Sequence, residues 1–123
     1  AADTTVALND AILAKPADAA EATTMLRTLS GQIHQVHTAI VVKLGEHEAR
    51  AMSTTQVRFR KLDNSEIDRY VASGEPMDKA GGYGIQGKAS AFVEHIDGSY
   101  SGVVGLPLFE TLALLTQFGV RIP

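Results

Sequence analysis

Two stretches of the sequence gather side chains that could do chemistry together. Asp3-Thr4-Thr5 precedes Lys15-Pro16 by twelve positions, and the intervening VALNDAIL reads as two short strands around an Asn9-Asp10 turn. A hairpin would bring the Asp and the Lys to neighbouring strand ends. There the carboxylate could hold a hard cation such as Mg²⁺ or take a proton from water, while the lysine neutralises a phosphate. The plainer reading, an exposed ion pair, carries more weight on these residues alone.

The second stretch is DKAGGYGIQG, residues 78 to 87, where Gly82, Gly84 and Gly87 fall at the spacing G-x-G-x-x-G. A dinucleotide loop of that spacing sits between a strand and a helix whose N-terminal amides meet the pyrophosphate. Here a helix-like segment and Pro76 precede the glycines and the strand-like AFVEHI follows them, so the context argues against that use. A glycine-rich connection needing unusual backbone angles explains the spacing equally well. Its polar company argues for more: Asp78, Lys79, Tyr83 and Gln86 supply a carboxylate, a cation, a phenol and an amide that could read a base or sugar edge.

Other chemistry-bearing residues are weaker candidates. His34 and His37 lie three positions apart in a strand-like run and so face opposite ways, which prevents them from sharing a metal. His47 in a turn and His95 in a strand complete no ligand spacing, and no metal is assigned to histidine. Ser30, Ser73 and Ser101 lack the G-x-S-x-G elbow of a serine hydrolase. Arg58, Arg60 and Lys61 read as the solvated face of a strand, with the edge of a phosphate site as the alternative.

The elements that must position these residues follow from periodicity. Thr4–Leu8 and Ala11–Leu13 form the hairpin, and Asp18 with Glu21 opens a helix whose Ala22, Met25, Leu26 and Leu29 share one stripe, ending at Ser30-Gly31. Residues 33 to 44 are a β-branched, central strand, Gly45 to Glu48 a polar turn, and residues 52 to 61 a strand with one wet face. Asp63 caps a helix with Ile67, Tyr70 and Val71 inward. After the glycine-rich loop, residues 91 to 96 and 100 to 104 read as strands around Asp97-Gly98-Ser99. Pro107 opens a last helix with Leu108, Leu112 and Leu115 on one stripe. The order β-β-α-β-β-α-β-β-α predicts an α/β fold with a mixed, largely antiparallel sheet flanked by helices.

Composition bounds what this domain can do. The 123 residues are 45% hydrophobic and 20% charged, which predicts one globular domain with a modest core. There is no Cys, which removes thiolate nucleophiles and zinc-thiolate sites and makes cytoplasm the default compartment. A net charge of -3 offers no field for gripping a nucleic-acid polymer. No window approaches the roughly 20 apolar residues of a membrane span, and AADTTVALND lacks the basic region of a signal peptide. With apolar alternation under way by Val6 and no initiator Met, the chain reads as one entered in mid-fold.

Four separated stretches add a resemblance: ADT at residues 2 to 4, KPADAAEA with MLRTLSGQIHQV between residues 15 and 36, SGEPMDKAGGYGIQG, and GSYSGVVGLPLFET. Together they resemble the Maf family of nucleoside triphosphate pyrophosphatases, over essentially the whole chain. The resemblance implies a fold like that of inosine triphosphate pyrophosphatases and a cleft where a nucleoside triphosphate is hydrolysed to monophosphate and pyrophosphate with Mg²⁺ or Mn²⁺. It makes Asp3, already the candidate metal ligand, the proton acceptor, associates Thr4 and Gln86 with choice of base, and puts Lys15 and Lys79 by the phosphates. The combination of ADT, YGIQG and GSY..VVGLP is similar to the branch acting on dTTP, UTP and modified pyrimidine nucleotides; other branches prefer 7-methyl-GTP.

One departure is large: the S-x-S-x-R-R loop with which the family begins, and the helices after it, are not in this sequence. The expectation is therefore an N-terminally incomplete, single Maf-like domain, the C-terminal two thirds of the family's chain. Without the cradle of that loop a triphosphate loses several charge-assisted hydrogen bonds of about 1.5–3 kcal/mol each, so this chain alone is expected to be a poor enzyme. Apolar surface normally covered by the missing segment would favour a homodimer. The alternative class is a catalytically silent nucleotide-binding or dimerisation module built on the same scaffold.

Overall fold

The computed structural model describes residues 1–120. One five-stranded sheet in the order β2-β1-β3-β4-β5 is built from β1 (Ala2–Leu8), β2 (Ala11–Leu13), β3 (Ile33–Leu44), β4 (His47–Phe59) and β5 (Val93–Asp97). Every ladder in it is antiparallel. The β3–β4 hairpin is its spine, running from Ile33 opposite Arg58 to Leu44 opposite His47. β4 thus begins at His47, earlier than its alternation suggests, and the turn shrinks to Gly45-Glu46.

Period-two alternation decides which face is covered. Val6 and Leu8 of β1, His34, Val36, Thr38 and Ile40 of β3, and Ser53, Thr55, Val57 and Phe59 of β4 are all buried. Helix α1 (Ala19–Leu29) lays Ala22, Met25, Leu26 and Leu29 into the core, and α2 (Asn64–Ala72) adds Ile67 and Tyr70. Asp18 caps α1 by accepting from the Glu21 amide at 2.8 Å, while Glu21 reaches back one residue past the cap, to the Ala17 amide. Asp63 and Glu66 close a full capping box on α2.

Glu66 also receives two bonds from the Arg60 guanidinium, which in turn donates to the Ala91 carbonyl at 2.9 Å and lies 5.6 Å over the Phe92 ring. The hydrogen bond from Arg60 holds the Glu66 carboxyl down at about 2. Arg60 is therefore a staple joining the end of β4, α2 and the run before β5.

The last third differs most from the sequence reading. Tyr100–Val104, expected as a strand, is a short helix, α3. Ser99 Oγ accepts from the Gly102 amide at 3.0 Å, Thr55 Oγ1 accepts from the Ser99 amide at 2.9 Å, and Thr38 Oγ1 donates to the Gly102 carbonyl at 2.7 Å. Side-chain bonding by these hydroxyls outweighs the local alternation. Helix α4 (Leu108–Gln117) does open after Pro107, but Leu114 is its buried residue, with Glu110 and Thr111 half-buried. Leu108 and Leu112 remain exposed, as does Phe109 at 80%, because the face turned to β3 and β4 is rotated from the expected leucine stripe.

Between α2 and β5 the glycine-rich connection is ordered as three 3-10 turns, Glu75–Asp78, Ala80–Gly82 and Lys88–Phe92. Gly81 fixes its position on the sheet. Its φ is +75°, its amide donates to the Ala14 carbonyl at 3.2 Å, and a Cβ there would lie 2.9 Å from Val6 Cγ1. Gly74 shares the left-handed backbone, φ +78°, but has open space where a Cβ would go. Gly74→Ala should therefore cost about 1 kcal/mol of backbone strain, whereas Gly81→Ala should cost about 1–3 kcal/mol more through overpacking. Urea unfolding of the two variants checks the difference, and equal losses would contradict the packing argument.

Candidate active site

A cavity of about 610 Å³ opens where the glycine-rich connection faces the start of β1, a size that suits a small-molecule ligand. Its lining includes Asp3, Thr4, Lys15, Lys79 and Gln86, so all five residues singled out in the sequence border one space. Val6, Val36, Tyr83 and Ile85 supply apolar lining. The geometry has a local cause. β2 pairs with β1 only over Val6–Leu8, leaving the other edge of Ala2–Thr5 without a strand among the described residues. The chain leaves the hairpin at Ala14-Lys15, and the Gly81 bond to the Ala14 carbonyl brings Lys79 to the same edge.

Asp3 is exposed and pairs through its backbone with Ala39. The ion pairs among the described residues are Arg50–Glu48, Arg60–Glu66 and Lys79–Asp78, so neither Asp3 nor Lys15 is spent in one. Thr4 Oγ1 lies 3.0 Å from Thr38 Oγ1. Because the single Thr38 proton goes to the Gly102 carbonyl, Thr4 must donate to Thr38, and Thr4 offers the cavity an acceptor.

Lys79 donates to Asp78 Oδ1 at 2.9 Å and to the Glu75 carbonyl at 3.1 Å. The bond and charge of Lys79 hold the Asp78 carboxyl below its usual range. The stem of Lys79 lies across Gly84, where a Cβ would come 2.6 Å from its Cε, and the Glu75 carboxylate lies on Gly87, where a Cβ would come 2.0 Å from Oε1. The spacing that imitates a dinucleotide loop thus makes room for two of the protein's own side chains. Gln86, exposed, sits between those seats.

Tyr83, expected among the groups reading a base or sugar, turns its hydroxyl inward. It lies 2.6 Å from Nε2 of His34, a residue 1% exposed, and only the flank of the tyrosine borders the cavity. Burial lowers His34 to about 4, so the ring is neutral at neutral pH, and burial likewise raises the Tyr83 and Tyr70 phenols. Sequence reasoning missed Glu75 and Thr38. Glu75 in SGEP has no periodic or motif neighbour to flag it, and Thr38 reads as one more β-branched strand residue.

Among the described residues no three acidic or histidine side chains converge as a ready-made metal cage, and no helix is long and apolar enough to cross a membrane. An exposed Asp3 carboxylate that enters no ion pair among the described residues, on the rim of this cavity, still suits a hard cation of the Mg²⁺ type, which takes one or two carboxylates and fills its shell with water and phosphate oxygens.

The chain is similar to known proteins over most of its length. The profile of the family described as "Maf-like protein" matches residues 1–118. The dTTP/UTP pyrophosphatase of Chromobacterium violaceum is 54% identical over 123 residues, all of this chain and 62% of its own length. The proteins of the same name from Nitrosomonas europaea and Ralstonia nicotianae are each 57% identical, over 99% and 98% of this chain and 59% and 58% of their own. The chain spans about three fifths of the length of these curated relatives.

The buried His34 makes a stability prediction. Its folded pKa lies below the ordinary 6.5, so its contribution is present above pH 6.5 and is lost as pH falls toward 4. The loss should reach about 3 kcal/mol at the lower end, and His34→Gln should flatten this part of the profile. Glu66 acts in a separate window, from 4.5 down toward 2. Urea midpoints between pH 7.5 and 4.5 check it; an unchanged slope in the variant would contradict the assignment.

Proposed function

The chain belongs to the Maf family, and from that premise we propose that the protein is a nucleoside triphosphate pyrophosphatase acting on dTTP and UTP. The observation that carries the reading is the single cavity shared by Asp3, Thr4, Lys15, Lys79 and Gln86. It is supported by relatives at 54–57% identity that are named dTTP/UTP pyrophosphatases. In this reading Asp3 accepts the proton of a water that attacks the α-phosphorus; the bond to the bridging oxygen breaks and pyrophosphate leaves with the electron pair. Lys15 and Lys79 neutralise phosphate oxygens, Lys79 exchanging its Asp78 contact for the ligand. The Gln86 amide can both donate and accept at a pyrimidine edge, and Thr4 accepts beside it.

A divalent cation, Mg²⁺ or Mn²⁺, would be held by Asp3 together with the phosphates, and when bound it supplies charge neutralisation and orientation of the triphosphate. The need is electrostatic. The lining carries two lysines against three carboxylates, Asp3, Glu75 and Asp78, so these residues bring no net positive charge to a polyanion. The same count supports the second reading, a nucleotide-binding module without turnover, for the 123-residue chain taken alone.

Pyrophosphate release from UTP and dTTP, with Mg²⁺ present, separates the two. The assay compares this chain with a hybrid in which it replaces the matching region of the Chromobacterium violaceum relative. Turnover in the hybrid with saturable binding and little turnover in the isolated chain is the expected result. In the hybrid, Asp3→Asn should lower kcat by about 10²–10⁴-fold, and undiminished turnover would remove Asp3 as the base. Gln86→Ala should lose about 1–2 kcal/mol of preference for UTP over a purine triphosphate, read from the ratio of kcat/KM values.

A further inference from the structure

The Glu75 carboxylate is held from several sides inside the glycine-rich connection. Oε1 accepts from the Tyr70 hydroxyl at 2.9 Å and Oε2 from the Lys88 amide at 3.4 Å. Tyr70 Oη also accepts from the Gly84 amide at 3.1 Å, so one hydroxyl passes the orientation of Glu75 to the backbone at Gly84. The carboxylate rests on Gly87, and the Glu75 carbonyl receives the Lys79 ammonium. Gly84, Gly87 and Lys88 thus bracket Gln86, and each meets Glu75 or the tyrosine bound to it.

We propose that Glu75 is a positioning residue for nucleotide binding: seated on Gly87 and tied to Tyr70 and the Lys88 amide, it sets the segment 84 to 87 so that Gln86 faces the cavity. The proposal rests on the nucleotide-hydrolysing reading above. Both carboxylate oxygens already accept hydrogen bonds within the protein, which separates Glu75 from Asp3, whose carboxylate enters no ion pair. Removing Glu75 strands the Tyr70 proton in a partly buried place and loosens the Gly84 amide held by the same hydroxyl. Gly87, at φ -96°, lies outside the left-handed region that favours glycine. Its missing side chain is explained by the carboxylate lying on it.

The test uses the hybrid defined above carrying Glu75→Ala, Glu75→Gln, Gly87→Ala and the Glu75→Ala/Gly87→Ala pair. Glu75→Ala should raise KM for UTP about tenfold with kcat within about twofold. Glu75→Gln, which keeps an acceptor for Tyr70, should recover most of that loss. Gly87→Ala should evict the carboxylate and reproduce Glu75→Ala, and the double variant should be no worse than either single change. Amide exchange at Gly84 and Lys88 should accelerate about tenfold in Glu75→Ala, with Val36 and Val57 in the sheet unchanged. Unchanged KM and exchange in Glu75→Ala, or additive losses in the double variant, would overturn the proposal. An unsubstituted hybrid that releases no pyrophosphate from UTP or dTTP sinks the proposed function instead, and the exchange measurements then decide the positioning claim by themselves.

Discussion

The molecule is organised around Phe59, whose ring is edge-on to His34 at 5.0 Å, to Tyr83 at 4.7 Å and to Phe92 at 6.2 Å, with Tyr70 in turn 5.2 Å from Phe92. These rings come from β3, β4, α2 and the glycine-rich connection, so a single cluster fixes how four separated segments meet. Edge-to-face pairs of this kind contribute about 0.5–1.5 kcal/mol each beyond the area they bury. The cluster also contains a polar contact, His34 with Tyr83, which must be kept because either group alone would be a buried polar atom without its partner. With Tyr83 pinned there, the residues on both sides of it have little choice of position.

The cavity is the other side of that constraint. Tyr83 faces inward, so Lys79, Gly84 and Gln86 around it are presented outward, opposite the open edge of β1. Gly81 lets the connection approach Val6 closely enough to bring the two walls together, and Gly84 and Gly87 accept the Lys79 stem and the Glu75 carboxylate. Steric room for glycine, rather than a charge field, builds the site. The electrostatics remain unsaturated, with cations and carboxylates close to balance.

Much of the fold was legible because alternation and caps are local signals. α1 runs between Asp18 and Ser30-Gly31, β3 starts two residues beyond that stop, and α2 starts at its Asp63 cap. The failures fall where a distant partner overrides a local preference. YSGVV alternates acceptably, yet Thr55 holds the backbone of the capping Ser99 just before it and Thr38 bonds the Gly102 carbonyl within it, and the stretch winds into a helix. α4 keeps its helical periodicity while the strands beneath it choose Leu114 over the leucine stripe.

The sequence alone determined the inventory and its near-neighbour geometry: no thiol chemistry, the Asp3 and Lys15 ends of one hairpin, and a polar glycine-rich stretch whose surroundings disagree with a dinucleotide loop. Those follow from residue types and from contacts a few positions apart. Tertiary structure decided which polar groups reach the cavity. It turned the Tyr83 hydroxyl into the core, committed Arg60 to Glu66, and placed Glu75 on Gly87, twelve positions along the chain. The reason is that each depends on a partner outside its own helix or strand: Tyr83 meets His34 across 49 positions, and the Arg60–Glu66 and Glu75–Gly87 contacts form across a turn or a loop that carries no periodic signal.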